Sequence, residues 1–164
     1  MIHAKSNGNG REWPSNHFVE LAQQLQAQPD IGLWMTGSEA EGHWLEGHAP
    51  ELLAQPNVQN LCGRLSLPEL MAVIGVADGV VASGTGPLHL AAALGRRTLG
   101  LFPPLRPVYS GRWGPIGLRA QSMECTTPCS GCRDPADCAC MRRIAPAAVA
   151  QVVLGWRDLA RQPH

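Results

Sequence analysis

The segment from Gly79 to Gly95 constrains the fold of this chain more than any other part of its sequence. Gly79 to Ser83 is an apolar run without alternation, which is typical of a strand covered on both faces of a parallel sheet. The turn Gly84-Thr85-Gly86 follows directly. Pro87 suits the first turn of a helix, because proline has no N–H group to leave unpaired there. The segment therefore predicts a buried strand, a tight glycine turn and a helix that ends near Gly95.

The rest of the chain alternates between strand-like and helix-like patterns. Helices are predicted at about 16–27, 39–47 and 146–160, and Ser66 with Glu69 forms a capping-box pattern at the start of another. This alternation predicts an α/β fold, a Rossmann-like parallel sheet with helices on both faces, in a single domain over residues 1–164. The other predicted strands are short and apolar: Ile2 to Ala4, Ile31 to Met35, Val58 to Leu61 and Thr98 to Phe102.

Charge and hydropathy exclude several classes of protein. Basic and acidic residues balance at 13 each, so no strong long-range field attracts nucleic acid or an anionic membrane. No apolar run approaches the roughly 20 residues that a membrane-spanning helix needs. The first residues also lack the apolar stretch of a signal peptide. These features predict a cytoplasmic protein that binds no nucleic acid, and any bound anion must be held by a local site.

The glycine turn is the candidate for such a site. A helix N-terminus offers unpaired N–H groups and a partial positive charge, which together suit a phosphate. Thr85 and His89 would lie beside that position. A plain strand–helix turn explains the same residues about equally well. A dinucleotide fingerprint fails because His89 occupies the third glycine position and Arg106 stands where an acidic residue is needed. A P-loop fails because no Gly-Lys-Ser/Thr follows.

A set of motifs in fixed order resembles glycosyltransferase family 9, which includes the heptosyltransferases of lipopolysaccharide core assembly. Each motif alone is weak, but the ordered set covers nearly the whole chain. The motifs are Arg11-Glu12-Trp13-Pro14, Thr36 to Glu41, Asn57 to Leu70, Ala77-Asp78, Gly84 to Gly95, Leu101-Phe102-Pro103, and Cys138 to Met141 with Ile144, Pro146 and Val149.

The resemblance implies a two-domain GT-B type glycosyltransferase, of which this chain is the C-terminal, donor-binding half. It implies an inverting transfer from a nucleoside diphosphate sugar, with ADP expected as the nucleotide, and no metal or other cofactor. The absent N-terminal half would bind a glycolipid acceptor and supply the catalytic base, so no catalytic residue is expected here. The whole protein could then lie at the inner membrane as a peripheral protein.

The resemblance also implies roles for particular residues. Arg11 matches a lysine that holds the diphosphate, and arginine can do this with two hydrogen bonds. Ser6 lies in the same phosphate-facing loop. Glu41 matches an acid that contacts the ribose, and Leu65 lies where the family packs the nucleobase. The phosphate-binding turn is matched by Thr85, Gly86 and His89.

One departure from the family concerns the donor sugar. The family's turn begins with an aspartate that faces the sugar, and Gly84 occupies that position here. A carboxylate contact to the sugar is therefore missing. This favours, as an alternative, a degenerate sugar-nucleotide-binding module without catalysis.

Two further groups of residues have competing interpretations. Free thiols, a zinc site and a disulfide are all open for the five cysteines between 125 and 140, and we expect thiols with little metal. A metal or redox protein on an α/β scaffold is thus a third candidate. Arg106, Arg112 and Arg119 flank a proline-rich loop, where solvated side chains are favoured slightly over phosphate contacts. The five cysteines are Cys125, Cys129, Cys132, Cys138 and Cys140.

Overall fold

The computed structural model describes residues 1–8, 10–129 and 138–160 as a six-stranded sheet with helices on both faces. All neighbouring strands are parallel, and their order is β3-β2-β1-β4-β5-β6. The predicted Rossmann-like α/β fold is therefore confirmed. The strands are β1 (Ile2–His3), β2 (Leu33–Thr36), β3 (Val58–Asn60), β4 (Gly79–Ser83), β5 (Arg97–Phe102) and β6 (Ala120–Glu124).

The longer helices agree with the sequence predictions to within a few residues. Helices of four residues, which the sequence did not predict, occupy several of the connections. The helices are α1 (Ser15–Gln26), α2 (Glu39–His48), α3 (Pro50–Leu53), α4 (Leu67–Val76), α5 (Gly86–Ala93), α6 (Ser110–Trp113), α7 (Ala139–Arg142) and α8 (Pro146–Ala160).

Two apolar cores lie on opposite faces of the sheet. The larger core packs α1, α2, α3 and α8 against the strands, and Trp13 is buried within it. The Trp13 ring packs edge-on against Phe18 at 4.7 Å between centroids, so the two residues form a hydrophobic staple at the start of α1. The smaller core lies between the sheet on one side and the helices α4 and α5 on the other. This smaller core takes few side chains from α4, where Ile74 is the only buried residue.

Local sequence rules explain where several helices begin and end. Ser66 and Glu69 form the expected capping box, in which the Ser66 N–H donates to Glu69 Oε2 at 2.8 Å. Gly95 ends α5 with a φ of 69°, a left-handed conformation that glycine adopts without strain. Gly79 permits close packing of α8, because a Cβ there would lie 2.4 Å from the Trp156 ring.

The strand β6 was not predicted. Its sequence, Ala120 to Glu124, is largely polar, and its side chains are exposed or half-buried at the edge of the sheet. Trp34, on β2, is half-buried. No helix in the described part of the chain is long and apolar enough to cross a membrane.

Candidate functional site

A cleft of about 550 Å³ opens where the chain reverses its direction of travel across the sheet. From β1 the chain runs outward through β2 and β3, and it then returns to β4 on the other side of β1. The loops that follow β1 and β4 must therefore diverge, and they leave a crevice at the carboxyl ends of these strands. Ligands bind at this switch point in open α/β sheets. The cleft is lined by both loops, by α2 and α5, and by the segment after β5.

The loop after β1 is organised by a buried carboxylate, Glu12. Its Oε1 accepts hydrogen bonds from Ser6 N at 2.8 Å and from Ser6 Oγ at 3.0 Å. Its Oε2 accepts from Lys5 Nζ, which also lies 3.6 Å from the centre of the Trp44 ring. A left-handed turn at Asn7 and Gly8 brings the two ends of the loop together. Glu12 therefore positions the loop that presents its neighbour Arg11 to the cleft.

The two loops approach each other closely across the cleft. A Cβ on Gly10 would lie 3.0 Å from the Gly84 carbonyl oxygen, so this close approach favours a glycine. On the far side, Thr85 is the N-cap residue of α5 and only 9% exposed. Its hydroxyl has no hydrogen-bond partner within the described part of the chain. Together with the unpaired N–H groups of the first turn of α5, it leaves polar groups that an anion can satisfy.

His3, at the end of β1, contributes a neutral imidazole to the floor of the cleft. The Thr36 hydroxyl donates to the Ile2 carbonyl at 3.3 Å, so it accepts from His3 Nδ1 at 3.0 Å. This arrangement leaves Nε2 as the unprotonated nitrogen. Burial lowers the pKa of His3, and the opposing effects of Glu41 and Glu12 are smaller. His3 can therefore accept a hydrogen bond from a ligand hydroxyl.

Glu41 reaches the cleft from the first turn of α2, where it also caps the helix. Its Oε2 accepts from Ser38 N at 2.8 Å, while Ser38 Oγ accepts from Glu41 N at 3.3 Å. The Cys62 thiol lies nearby, since a Cβ on Gly37 would be 3.1 Å from Glu41 Oε2 and 3.2 Å from Cys62 Sγ. Burial, and then the Glu41 carboxylate, raise the pKa of Cys62 to about 11. Cys62 is therefore an unreactive thiol at neutral pH.

The wall opposite Glu41 is apolar. Phe102, Pro103, Val108 and Trp113 line it, and no acidic side chain is among the lining residues there. The ring of Phe102 occupies the space beside Gly84, because a Cβ on Gly84 would lie 2.8 Å from Phe102 Cε1. The departure of Gly84 from the family's aspartate is therefore matched by an aromatic ring in the adjoining volume.

The structure brings together six of the seven site residues that the sequence analysis proposed. Leu65 is half-buried and is not among the residues that line the cleft. The Ser6 hydroxyl is engaged with Glu12, so its main contact is within the loop. The six that line the cleft are Ser6, Arg11, Glu41, Thr85, Gly86 and His89.

Two residues of the site were missed by sequence reasoning. His3 could have been found, because it ends the strand at the switch point, where ligands bind in this fold. Glu12 gave no such indication, since its partners depend on the turn at Asn7 and Gly8.

Pro87 lies in the first turn of α5 as predicted, although Gly86 is the first helical residue.

The four described cysteines of the cluster, Cys125, Cys129, Cys138 and Cys140, lie apart from the cleft, in or against the larger core. Cys125 and Cys140 are buried free thiols there. Burial, and then a hydrogen bond with Cys129, raise the pKa of Cys140 to about 12. No three His, Cys, Asp or Glu side chains among the described residues are arranged to hold a metal ion. Cys132 lies outside the described residues, so the expectation of thiols with little metal stays a prediction.

The family profile of glycosyltransferase family 9 (heptosyltransferase) matches residues 1–140. Lipooligosaccharide heptosyltransferase 2 of Haemophilus influenzae is 32% identical over 106 residues, which cover 63% of this chain and 30% of that protein. Lipopolysaccharide heptosyltransferase 1 of Pseudomonas aeruginosa is 33% identical over 122 residues, or 74% of this chain and 32% of that protein. The chain thus spans about a third of the length of these curated relatives.

Solved structures agree on the fold. ADP-heptose lipopolysaccharide heptosyltransferase II of E. coli matches with a TM-score of 0.74 at 20% identity, over 98% of this chain and 46% of that chain. A heptosyltransferase of E. coli solved with ADP matches with a TM-score of 0.70 at 23% identity, over 94% of this chain and 43% of that chain. At these identities the likeness shows the fold alone. Because the family profile covers residues 1–140, however, this chain belongs to glycosyltransferase family 9.

Proposed function

We propose that this chain is the donor-binding half of a heptosyltransferase-like glycosyltransferase. A nucleoside diphosphate sugar would bind in the cleft with its phosphates over the start of α5. The observation that carries this proposal is the Thr85 hydroxyl, which is buried at the N-cap of α5 without a partner among the described residues. A phosphate oxygen at that position would accept from Thr85 and from the first N–H groups of the helix.

The charges around the cleft suit the same ligand. Arg11 lies across from α5 and can bind the diphosphate with two parallel hydrogen bonds. His89, in the first turn and a half of α5, lies on the same side. Glu41 and the unprotonated Nε2 of His3 are acceptors, which suit ribose hydroxyls and not phosphate. This polarity orients the donor with its nucleoside toward α2 and its sugar toward the apolar wall.

The chemistry we propose is an inverting displacement at the anomeric carbon of the donor sugar. The bond from this carbon to the diphosphate breaks as an acceptor hydroxyl attacks from the opposite face. Arg11 and the N-terminus of α5 would stabilise the negative charge that develops on the leaving diphosphate. No metal or cofactor is needed for this role. The base that takes the acceptor proton would come from the N-terminal half, so this chain alone should not transfer sugar.

Two solved relatives motivate the choice of nucleotide. One E. coli heptosyltransferase was solved with ADP and another structure with ADP-2-deoxy-2-fluoro heptose. We therefore propose an ADP-linked, heptose-like donor, and a glycolipid acceptor in lipopolysaccharide or related glycan assembly. In this proposal the whole enzyme works in the cytoplasm, peripherally at the inner membrane.

Gly84 supports a second candidate, a sugar-nucleotide-binding module without catalysis. The Phe102 ring fills the volume that a side chain at position 84 would need, so the donor sugar meets no carboxylate from this turn. The two candidates differ only in turnover. Transfer assays on a protein that also contains the acceptor-binding half would separate them.

Calorimetric titration of ADP, UDP and GDP into the chain tests donor binding. Arg11→Ala should weaken binding by about 1.5–3 kcal/mol, as expected for loss of a charged hydrogen bond. Arg64→Ala is the matched control, because Arg64 is exposed and does not line the cleft. If no nucleotide binds, or if Arg11→Ala binds like the wild type, the proposal is wrong.

A further inference from the structure

A buried hydroxyl at the end of β4 joins the two loops that form the donor cleft. Ser83 is the last residue of β4 and directly precedes the turn that begins at Gly84. Its Oγ accepts a hydrogen bond at 3.2 Å from the backbone N–H of Trp13, which lies in the loop between β1 and α1. Ser83 and Trp13 are 70 positions apart in the sequence, so this bond ties one loop of the cleft to the other.

Trp13 is itself held in place from its other side. Its indole Nε1 donates to the Ile144 carbonyl at 2.9 Å, and its ring packs edge-on against Phe18. Trp13 is only 1% exposed and Ser83 is fully buried, so water cannot easily replace the bond between them. A buried N–H group that loses its acceptor carries a free-energy penalty. The bond from Trp13 N to Ser83 Oγ therefore connects a fixed point of the core to the end of β4.

Arg11 lies between two contacts that its loop makes with the end of β4 and the turn that follows. On one side of Arg11, a Cβ on Gly10 would lie 3.0 Å from the Gly84 carbonyl oxygen. On the other side, two residues along the chain, Trp13 bonds to Ser83. Gly84 directly precedes the N-cap residue of α5. The separation between Arg11 and the start of α5 is therefore set at both ends of the short segment that carries Arg11.

The hydrogen bonds within the loop do not set this separation by themselves. Glu12 binds Ser6 and Lys5, which belong to the same loop. These bonds preserve the shape of the loop, but they do not fix its distance from α5. A diphosphate held between Arg11 and the N-terminus of α5 is sensitive to that distance, because hydrogen bonds weaken steeply as their geometry departs from the optimum.

We propose that Ser83 is a positioning residue, which holds Arg11 at the distance from α5 that a bound diphosphate requires. Ser83 acts through the backbone of Trp13 and does not touch the ligand, since it is not among the residues that line the cleft. The inference rests on the proposed donor binding. Because the proposed nucleoside contacts, His3 and Glu41, lie on β1 and α2, Ser83 should affect the affinity for the diphosphate and not the affinity for the nucleoside.

Titration of the chain with ADP and with adenosine, followed by amide NMR shifts, tests the proposal. Ser83→Ala removes the acceptor of the Trp13 N–H group and should weaken ADP binding by about fivefold to tenfold, the size expected for one neutral hydrogen bond. Adenosine binding should change by less than about twofold in the same variant. Hydrogen exchange at the Trp13 amide should become faster, which reports directly that the bond is lost.

A double-mutant cycle shows whether Ser83 acts through Arg11. In the Arg11→Ala background, Ser83→Ala should weaken ADP binding by less than about twofold further, because the group that it positions is already gone. If the two losses multiply, Ser83 acts on another part of the site, such as α5 itself, and the proposal is overturned.

Two variants separate positioning from general stability. Gly79→Ala brings a methyl group against Trp156 at the other end of β4, so it should destabilise the fold while ADP affinity stays within about twofold of the wild type. Thr98→Val removes another fully buried hydroxyl, near the amino end of β5 and outside the cleft lining, and it should also keep the ADP affinity. Urea unfolding measures the stability of every variant.

The results separate this proposal from donor binding itself. If the wild type does not bind ADP, the proposed function is wrong and the role of Ser83 falls with it. If Arg11→Ala weakens ADP binding but Ser83→Ala binds like the wild type, only the role of Ser83 is wrong. An equal loss for ADP and adenosine, or the same loss in Gly79→Ala, would show that Ser83 is a general structural residue and would also overturn the proposal.

Discussion

Replacing Glu12 with glutamine should loosen the loop that presents Arg11 to the cleft. The carboxylate accepts two hydrogen bonds from Ser6, at 2.8 and 3.0 Å, and pairs with Lys5. The side chains of Lys5 and Glu12 are only 16% and 11% exposed, so water can replace little of what is lost. Glutamine retains one acceptor oxygen but leaves the Lys5 ammonium facing a neutral amide.

The magnitude follows from these contacts. Hydrogen bonds to a charged group contribute about 1.5–3 kcal/mol, and breaking a buried ion pair costs about 3–5 kcal/mol. Because glutamine keeps part of the hydrogen bonding, we expect the free energy of unfolding to fall by about 2–4 kcal/mol. Nucleotide affinity should fall as well, since Arg11 loses its fixed position.

Urea unfolding followed by tryptophan fluorescence measures this loss. Glu20→Gln is the matched control, because Glu20 is exposed on α1 and should change stability by less than about 0.5 kcal/mol. Adding Lys5→Met to Glu12→Gln should recover part of the loss, because no buried charge is then left unpaired. The reasoning is refuted if Glu12→Gln unfolds within about 0.5 kcal/mol of the wild type.

Three other changes test separate parts of the structure. Gly79→Ala should destabilise the fold by about 2–4 kcal/mol, because the new methyl group would overlap the Trp156 ring at 2.4 Å. Gly84→Ala should cost about 1–3 kcal/mol by displacing Phe102, and Phe102→Leu should relieve that cost. Because the pKa of Cys62 is raised to about 11 in the folded chain, the neutral thiol adds fully to the free energy of unfolding below about pH 8.5. This contribution is lost as the pH rises toward about 11.

Each of these predictions has its own measurement and control. Gly75→Ala on α4 meets nothing within 4 Å and should stabilise the chain by about 0.5–1 kcal/mol, in contrast to Gly79→Ala. If Gly84→Ala has the same free energy of unfolding as the wild type, the predicted steric conflict between a side chain at position 84 and the Phe102 ring is wrong. For Cys62, the loss of stability above about pH 9 should be smaller in Cys62→Ala. An identical pH dependence in that variant would contradict the assigned cause.

Much of the cleft could be predicted because its main features are local in sequence. The glycine turn, Pro87 and the following helix are contiguous, so pattern and turn chemistry together indicate an anion site. Arg11 and Glu41 required the ordered family motifs, since nothing in their own neighbourhoods points to a ligand. Leu67 and Met71 are exposed on α4, although their helical spacing with Leu70 and Ile74 is typical of a buried face.

The remaining features depend on contacts that sequence patterns do not encode. Strand β6 pairs with β5 at the edge of the sheet, so its side chains need not be apolar. The continuous apolar run that marks the inner strands of a parallel sheet is therefore absent. The contact of Phe102 with Gly84 joins the ends of two neighbouring strands.

The central claim is that a nucleoside diphosphate binds over the start of α5. Amide resonances of the isotope-labelled chain, followed by NMR during titration with ADP, test it most directly. The account predicts the largest shifts at Thr85, Gly86 and His89 on one side of the cleft and at Ser6 and Arg11 on the other. Shifts concentrated at the amino ends of the strands, or no saturable shifts at millimolar ADP, would contradict it.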